Sequence, residues 1–220
     1  MRRSVLGRAI AIGLATGAYG LSFGTLAVTA GLSLAQAAAM SALVFTGATQ
    51  LSVVGAVAAG GAAAPAVASG LVLASRHLGY GIAVAPILPA AVRSRLVAAH
   101  LVIDESTAMA RSQDDAGRAR LAFWATGASV FVCWNAATVA GALVGRAVAD
   151  PAALGLDAVF PAAFVALLAP QLATLQARRA AIAGAAIAGA LVPFAPAGIP
   201  VLAAAAGALA IAGRGPADPQ

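Results

Sequence analysis

Residues 9–75 read AIAIGLATGAYGLSFGTLAVTAGLSLAQAAAMSALVFTGATQLSVVGAVAAGGAAAPAVASGLVLAS, 67 residues between Arg8 and Arg76 without one Asp, Glu, Lys, Arg or His. One bilayer crossing takes about 20 apolar residues, so this stretch alone is long enough for several. The composition of the whole 220-residue chain agrees: 62% of residues are hydrophobic and 9% charged, against roughly 25% charged in an ordinary soluble domain. Mean hydropathy is +0.95. These values exclude a soluble globule. Lipid offers no water to open backbone groups, so the spanning segments are helices or a closed barrel. The ten-residue alternating strands of a barrel are absent. The chain reads as all-α, a polytopic membrane helix bundle forming one domain over 1–220, with the bundle at 8–212 and a polar tail at 213–220.

Eight apolar segments follow from the Arg, Pro and polar clusters between them: about 9–30, 36–58, 66–90, 96–109, 121–145, 158–177, 180–193 and 198–212. Segments 96–109, 180–193 and 198–212 reach only about 21 Å as helices, against a hydrocarbon core of about 30 Å. They are expected to be broken, half-length or interfacial, which leaves seven or eight crossings. Pro65, Pro86 and Pro89, then Pro193, Pro196 and Pro200, mark further breaks. The start, Met1-Arg2-Arg3-Ser4, has the look of a signal peptide, but the apolar run exceeds the 7–15 residues of a cleavable one, so a retained helix is expected.

The net charge of +6 comes from thirteen arginines scattered in ones and twos, without the basic helix or aromatic interleaving of a nucleic-acid surface. Their use is topological, since arginine accumulates on the cytoplasmic side. Leaving out Arg76, which falls inside a segment, eight crossings with a cytoplasmic N-terminus divide the other twelve nine against three; if 96–109 does not cross, the opposite orientation scores eight against four. The rule leaves the two open. A faint repeat adds to the question: Ala15-Thr16-Gly17-Ala18 recurs as Ala125-Thr126-Gly127-Ala128, and Ala48-Thr49-Gln50-Leu51 echoes Ala169-Pro170-Gln171-Leu172. Internal duplication is common among secondary transporters, with substrate held between the halves.

Polar residues inside the apolar segments are the functional candidates, because each is costly in lipid. Arg76 and His77 sit mid-segment in Leu73-Ala74-Ser75-Arg76-His77-Leu78-Gly79-Tyr80-Gly81. Arg76 either satisfies carbonyls at a helix break or pairs with a carboxylate. Tyr80, four residues on, shares its helix face, whereas His77 points elsewhere. His100, Asp104 and Glu105 form a second cluster, in which the i,i+4 spacing of His100 and Asp104 predicts a hydrogen bond unless this is a solvated helix end. Gln50 is an amide for either helix packing or a ligand. Gly13, Gly17, Gly20 and Gly24 form a stripe that reads as close helix packing or as an unwound segment facing a substrate. Asp157 caps a helix start or takes part in coupling. Cys133 is alone, so no disulfide or cysteine metal site arises from it. Neither a Ser-His-Asp elbow nor a phosphate loop is present, and no enzyme, cofactor or metal is expected.

In sum these residues also resemble a known family. Phe23-Gly24-Thr25-Leu26-Ala27, Ala30-Gly31-Leu32-Ser33 and Val44-Phe45-Thr46-Gly47-Ala48-Thr49-Gln50 are similar to the opening signature of the AzlC family, the large subunits of branched-chain amino acid exporters. Arg76-His77-Leu78-Gly79-Tyr80-Gly81 resembles its Arg-His-x-x-Tyr-Gly block, Asp104-Glu105-Ser106 its Asp-Glu-Ser block, and Gly155-Leu156-Asp157 with Phe160-Pro161 its Gly-Leu-Asp block. The similarity covers residues 10 to 175. Ala74 departs from the family's Asn, and Thr49-Gln50-Leu51 from a Ser-Gln-Phe. The resemblance implies a multi-pass protein of the bacterial inner membrane that exports branched-chain amino acids together with a small AzlD-like membrane subunit. On this reading Gly20, Gly24, Gln50, Arg76 and Tyr80 lie nearest the amino acid. His77, His100, Asp104, Glu105 and Asp157 are the coupling candidates, with protons as the expected ion. The rival readings are a non-transporting subunit that assembles or stabilises a partner, and a passive channel, which lacks a ring of carbonyl or acidic residues.

Overall fold

The computed structural model describes residues 2–147, 165, 168–195 and 199–212, and among these every regular element is helical. The α-helices through residue 147 are α1 (Arg2–Thr29), α2 (Leu34–Leu43), α3 (Gly47–Ala58), α4 (Ala63–Ala74), α5 (Arg76–Val84), which a 3-10 turn at Ala85–Ile87 extends, α6 (Val92–His100), α7 (Asp104–Arg111) and α8 (Ala116–Ala147). After them come α9 (Leu175–Leu191) and α10 (Ile199–Ala212). Three described helical stretches are long and apolar enough to cross a membrane: Ser4–Thr29, Ala63–Ile87 and Ala116–Ala147.

The glycine stripe decides how two of these meet. A Cβ on Gly20 would lie 2.8 Å from the Trp134 carbonyl oxygen, and one on Gly24 would overlap the Thr138 carbonyl oxygen. Gly17 faces Cys133, and from the other side Gly145 faces Thr25 and Val28. Numbers rise together along the two helices, so α1 and α8 run parallel with their backbones in contact. With no hydrophobic drive between helices in lipid, such close packing is what holds them together. Across the seam, the buried Thr25 hydroxyl donates to the Gly141 carbonyl at 2.9 Å. Phe23 stacks on Trp134, ring centroids 6.2 Å apart. Leu14, Leu78 and Ile82 point outward, as lipid-facing residues should.

Expected segments 36–58 and 96–109 are both broken. The first parts into α2 and α3 at Val44-Phe45-Thr46, where Thr46 is extended. The second starts earlier than expected, at Val92, and parts into α6 and α7 at Leu101-Val102-Ile103. No glycine or proline causes this second break. Ser106 makes it, accepting from the Ile103 N–H at 3.1 Å and donating to the Leu101 carbonyl at 2.6 Å. Segment 66–90 is loosened at Ser75, just before Arg76, where the His77 ring nitrogen Nδ1 lies 2.8 Å from the Ala74 carbonyl that a helical N–H would otherwise take. Segment 180–193 falls largely in α9 and 198–212 in α10, whereas 158–164 and 166–167 of segment 158–177 and all of the 213–220 tail lie outside the described residues.

Candidate functional site

A cavity of about 480 Å³ lies where the two breaks face each other. That volume suits a small metabolite. Its polar side is built from α5 and α7. Arg76 Nη2 lies 2.8 Å from Asp104 Oδ2, and the Tyr80 hydroxyl donates to Asp104 Oδ1 at 2.6 Å. Arg76 and Tyr80 stand one turn apart on one face of α5, so a single carboxylate engages both. The ion pair is half-open, with side chains 31% and 45% exposed, so it faces the cavity and is not sealed in the core. Glu105 also lines the cavity.

Two helix N-termini border the same space. α7 begins at Asp104 and carries Asp104 and Glu105 in its first turn, charges that complement the positive end of a helix. α3 begins at Gly47 with no acidic residue in its first turn and no side-chain cap from Thr46. Its first N–H groups have no partner within the helix, and Gly47 and Ala48 line the cavity. The cavity is therefore asymmetric, with an anion-accepting end at α3 and a carboxylate end at α7. Leu51, Leu73, Ile103, Val130 and Trp134 supply the apolar wall between them.

The remaining sequence candidates lie elsewhere. Gly20 and Gly24 are filled by the α8 backbone and do not line the cavity. Gln50 is fully buried: its Nε2 donates to the Val44 carbonyl at 2.9 Å, and its Oε1 accepts from Trp134 Nε1 at 3.0 Å. Both ends of the amide are thus engaged by protein. His77 packs its ring in a T-shaped contact with Tyr80, with Nε2 buried and, among the described residues, without a hydrogen-bond partner. The hydrogen bond expected between His100 and Asp104 does not form. The break at 101–103 removes the helical spacing, Asp104 is taken by Arg76 and Tyr80, and His100 packs on Phe45 and Phe131 at centroid distances of 5.9 and 5.7 Å. Asp157 and the Gln171 side chain lie outside the described residues.

Sequence reasoning passed over Trp134 and Thr138. Trp134 seats its ring on Gly47 and anchors Gln50, and Thr138 bonds Ser41 at 3.1 Å. The available signal was that Trp134 is the only aromatic residue in 132–147, the small-residue end of α8.

A family model described as AzlC protein matches residues 11–148. The chain belongs to the AzlC family. This is a branched-chain amino acid transport family, and the AzlC match takes in residues 11–29 of α1 and the whole of α2 to α8. Arg76, Tyr80, Asp104 and Glu105 all fall within it, whereas the Gly155-Leu156-Asp157 block lies beyond. No curated protein and no solved structure matches the chain.

Proposed function

We propose that this AzlC protein exports neutral, apolar amino acids with branched side chains across the bacterial inner membrane, driven by protons and working with a small AzlD-like membrane subunit. The observation that carries the reading is the asymmetric cavity. A zwitterion needs an anion acceptor at one end and a carboxylate at the other, and the α3 N-terminus and the Asp104–Glu105 pair supply these across an apolar wall. In this reading the substrate carboxylate meets the Gly47 and Ala48 N–H groups and the ammonium meets Glu105. The valine-like side chain contacts Leu51, Ile103 and Val130.

Arg76 neutralises Asp104, which leaves Glu105 as the cavity carboxylate with no cation bonded to it among the described residues. That makes Glu105 the group on which a proton and an ammonium compete, which is the simplest form of coupled exchange. Gly20, Gly24 and Gln50 hold the frame around the cavity, and His77 positions Tyr80.

The test is uptake of labelled valine into inverted vesicles carrying the chain and its small partner. Saturable accumulation that falls at least tenfold in Arg76→Ala and loses its pH dependence in Glu105→Gln is the expected result. Accumulation per complex that is unchanged by both substitutions would instead favour a subunit that only assembles a partner.

A further inference from the structure

We propose that residues 2–147 cross the membrane three times, and that α2–α3 and α6–α7 are re-entrant hairpins entering from opposite faces with their tips at the cavity.

Depth can be read along α8. Val5, Met109 and Ala122 cluster together, so the start of α1, the end of α7 and the first turns of α8 share one face. The Ile87 carbonyl accepts from Arg120 Nε at 2.9 Å, which brings the end of the Ala63–Ile87 stretch to that face too. From there α6 starts at Val92 and ends at His100, against Phe131. Phe131 lies about 16 Å further along α8 than Arg120, and the nine residues of α6 rise about 13 Å. The chain thus climbs to mid-depth in α6, breaks at 101–103, and returns in α7 to the face it left.

The other hairpin follows from α4. Ser75 keeps helical dihedrals, so α4 continues the direction of α5 and Ala63 lies about 20 Å beyond Arg76, toward the opposite face. α3 runs antiparallel to α4: Thr49 donates to the Gly70 carbonyl at 3.4 Å, and the Ser52 and Ser69 hydroxyls lie 3.2 Å apart. Its end at Ala58 therefore lies on the opposite face, where α1 ends and α2 begins. Thus α2 descends to the tip at 44–46 and α3 climbs back.

This path also resolves orientation. It puts Arg2, Arg3, Arg8, Arg93, Arg95, Arg111, Arg118 and Arg120 on one face and Arg146 on the other, eight against one. The arginine-rich face is cytoplasmic. Each hairpin is then the barrier to one side: α6–α7 separates the cavity from the cytoplasm, and α2–α3 separates it from the exterior. This last step rests on the transport reading; the topology does not.

The experiment uses the full chain with Cys133→Ser and single cysteines replacing Ala35, Ala59, Ala90 or Asp114, labelled by a membrane-impermeant maleimide. Positions 35 and 59 are expected to label in intact cells, and 90 and 114 only in inverted vesicles, with full labelling after denaturation showing that every cysteine is present. Labelling of 59 from the cytoplasm or of 90 from outside, or silence of either from both faces, overturns the hairpins. A cysteine replacing Ala48 is expected to label at least twofold more slowly with 10 mM valine present. Absence of protection, with the four faces as stated, removes the cavity's role in transport and leaves the topology standing.

Discussion

Trp134 on α8 and Gln50 on α3 are joined by an indole N–H donated to the amide oxygen at 3.0 Å, while the other end of the amide reaches the Val44 carbonyl at 2.9 Å. One side chain thereby ties the tip of the first broken segment to a spanning helix. Replacing Gln50 by Leu strands both the indole N–H and the carbonyl, at about 1–3 kcal/mol per buried group. The expected outcome is a lower thermal midpoint in detergent, partly recovered when Trp134→Phe is added. Unchanged stability with transport abolished would assign the amide to the ligand instead.

Gly24 offers a second stability test. A Cβ there overlaps the Thr138 carbonyl oxygen, whereas Gly79 has nothing within 4 Å of its added carbon. Gly24→Ala is expected to cost about 1–3 kcal/mol by forcing α1 and α8 apart. Gly79→Ala should be neutral or slightly stabilising, because alanine is the better helix former. Midpoints measured side by side check the contrast.

For Arg76 and Asp104, the cycle of single and double replacements separates folding from transport. Each single change to leucine leaves a charge without its partner, at about 1–3 kcal/mol after allowing for the half-open cavity. Arg76→Leu with Asp104→Leu should regain most of that stability and none of the valine transport. Recovery of transport in the double variant would make the pair purely structural.

Asp115 gives a pH test outside the membrane. It accepts from the Arg118 backbone N–H at 2.8 Å and also meets the Arg118 guanidinium, and these hydrogen bonds hold its carboxyl below the usual 3.8. A carboxyl lowered on folding stabilises the fold above its unfolded pKa, and that contribution fades as pH falls through the depressed folded value. The difference in thermal midpoint between the parent and Asp115→Ala should therefore hold steady from about pH 8 to pH 5 and shrink below about pH 4.

The helical membrane character was legible in residues 9–75 because lipid permits few alternatives there. The packing role of Gly13 to Gly24 was one of two open readings, and Gly20 and Gly24, placed nearest the amino acid on the other, pack against the α8 backbone. The echo between residues 15–18 and 125–128 has an offset of 110 (125 − 15) and falls on α1 and α8. Yet the residues that touch are Gly13 with Ser129 and Gly17 with Cys133, an offset of 116 (129 − 13 and 133 − 17). Similarity marked two like helices and not their contact. The carboxylate partner of Arg76 was one of two open readings, because which carboxylate it meets depends on the break at 101–103. That break is made by a serine hydroxyl bonding backward, which has no composition signature. Trp134 was invisible as an anchor because its partners lie 84 and 87 residues earlier in the chain (134 − 50 and 134 − 47).

The breaks at 44–46 and 101–103 bear on biogenesis. Their arms hold 10, 12, 9 and 8 residues, about 12 to 18 Å each, too short to enter the bilayer as independent spans. The last of them also carries Asp104, Glu105 and Arg111. These arms can settle only against helices already inserted, and the one they lean on most, α8, leaves the ribosome after all four. A nascent chain halted before residue 116 would hold two anchored spans and no complete cavity, so the cavity is among the last parts of this region to exist.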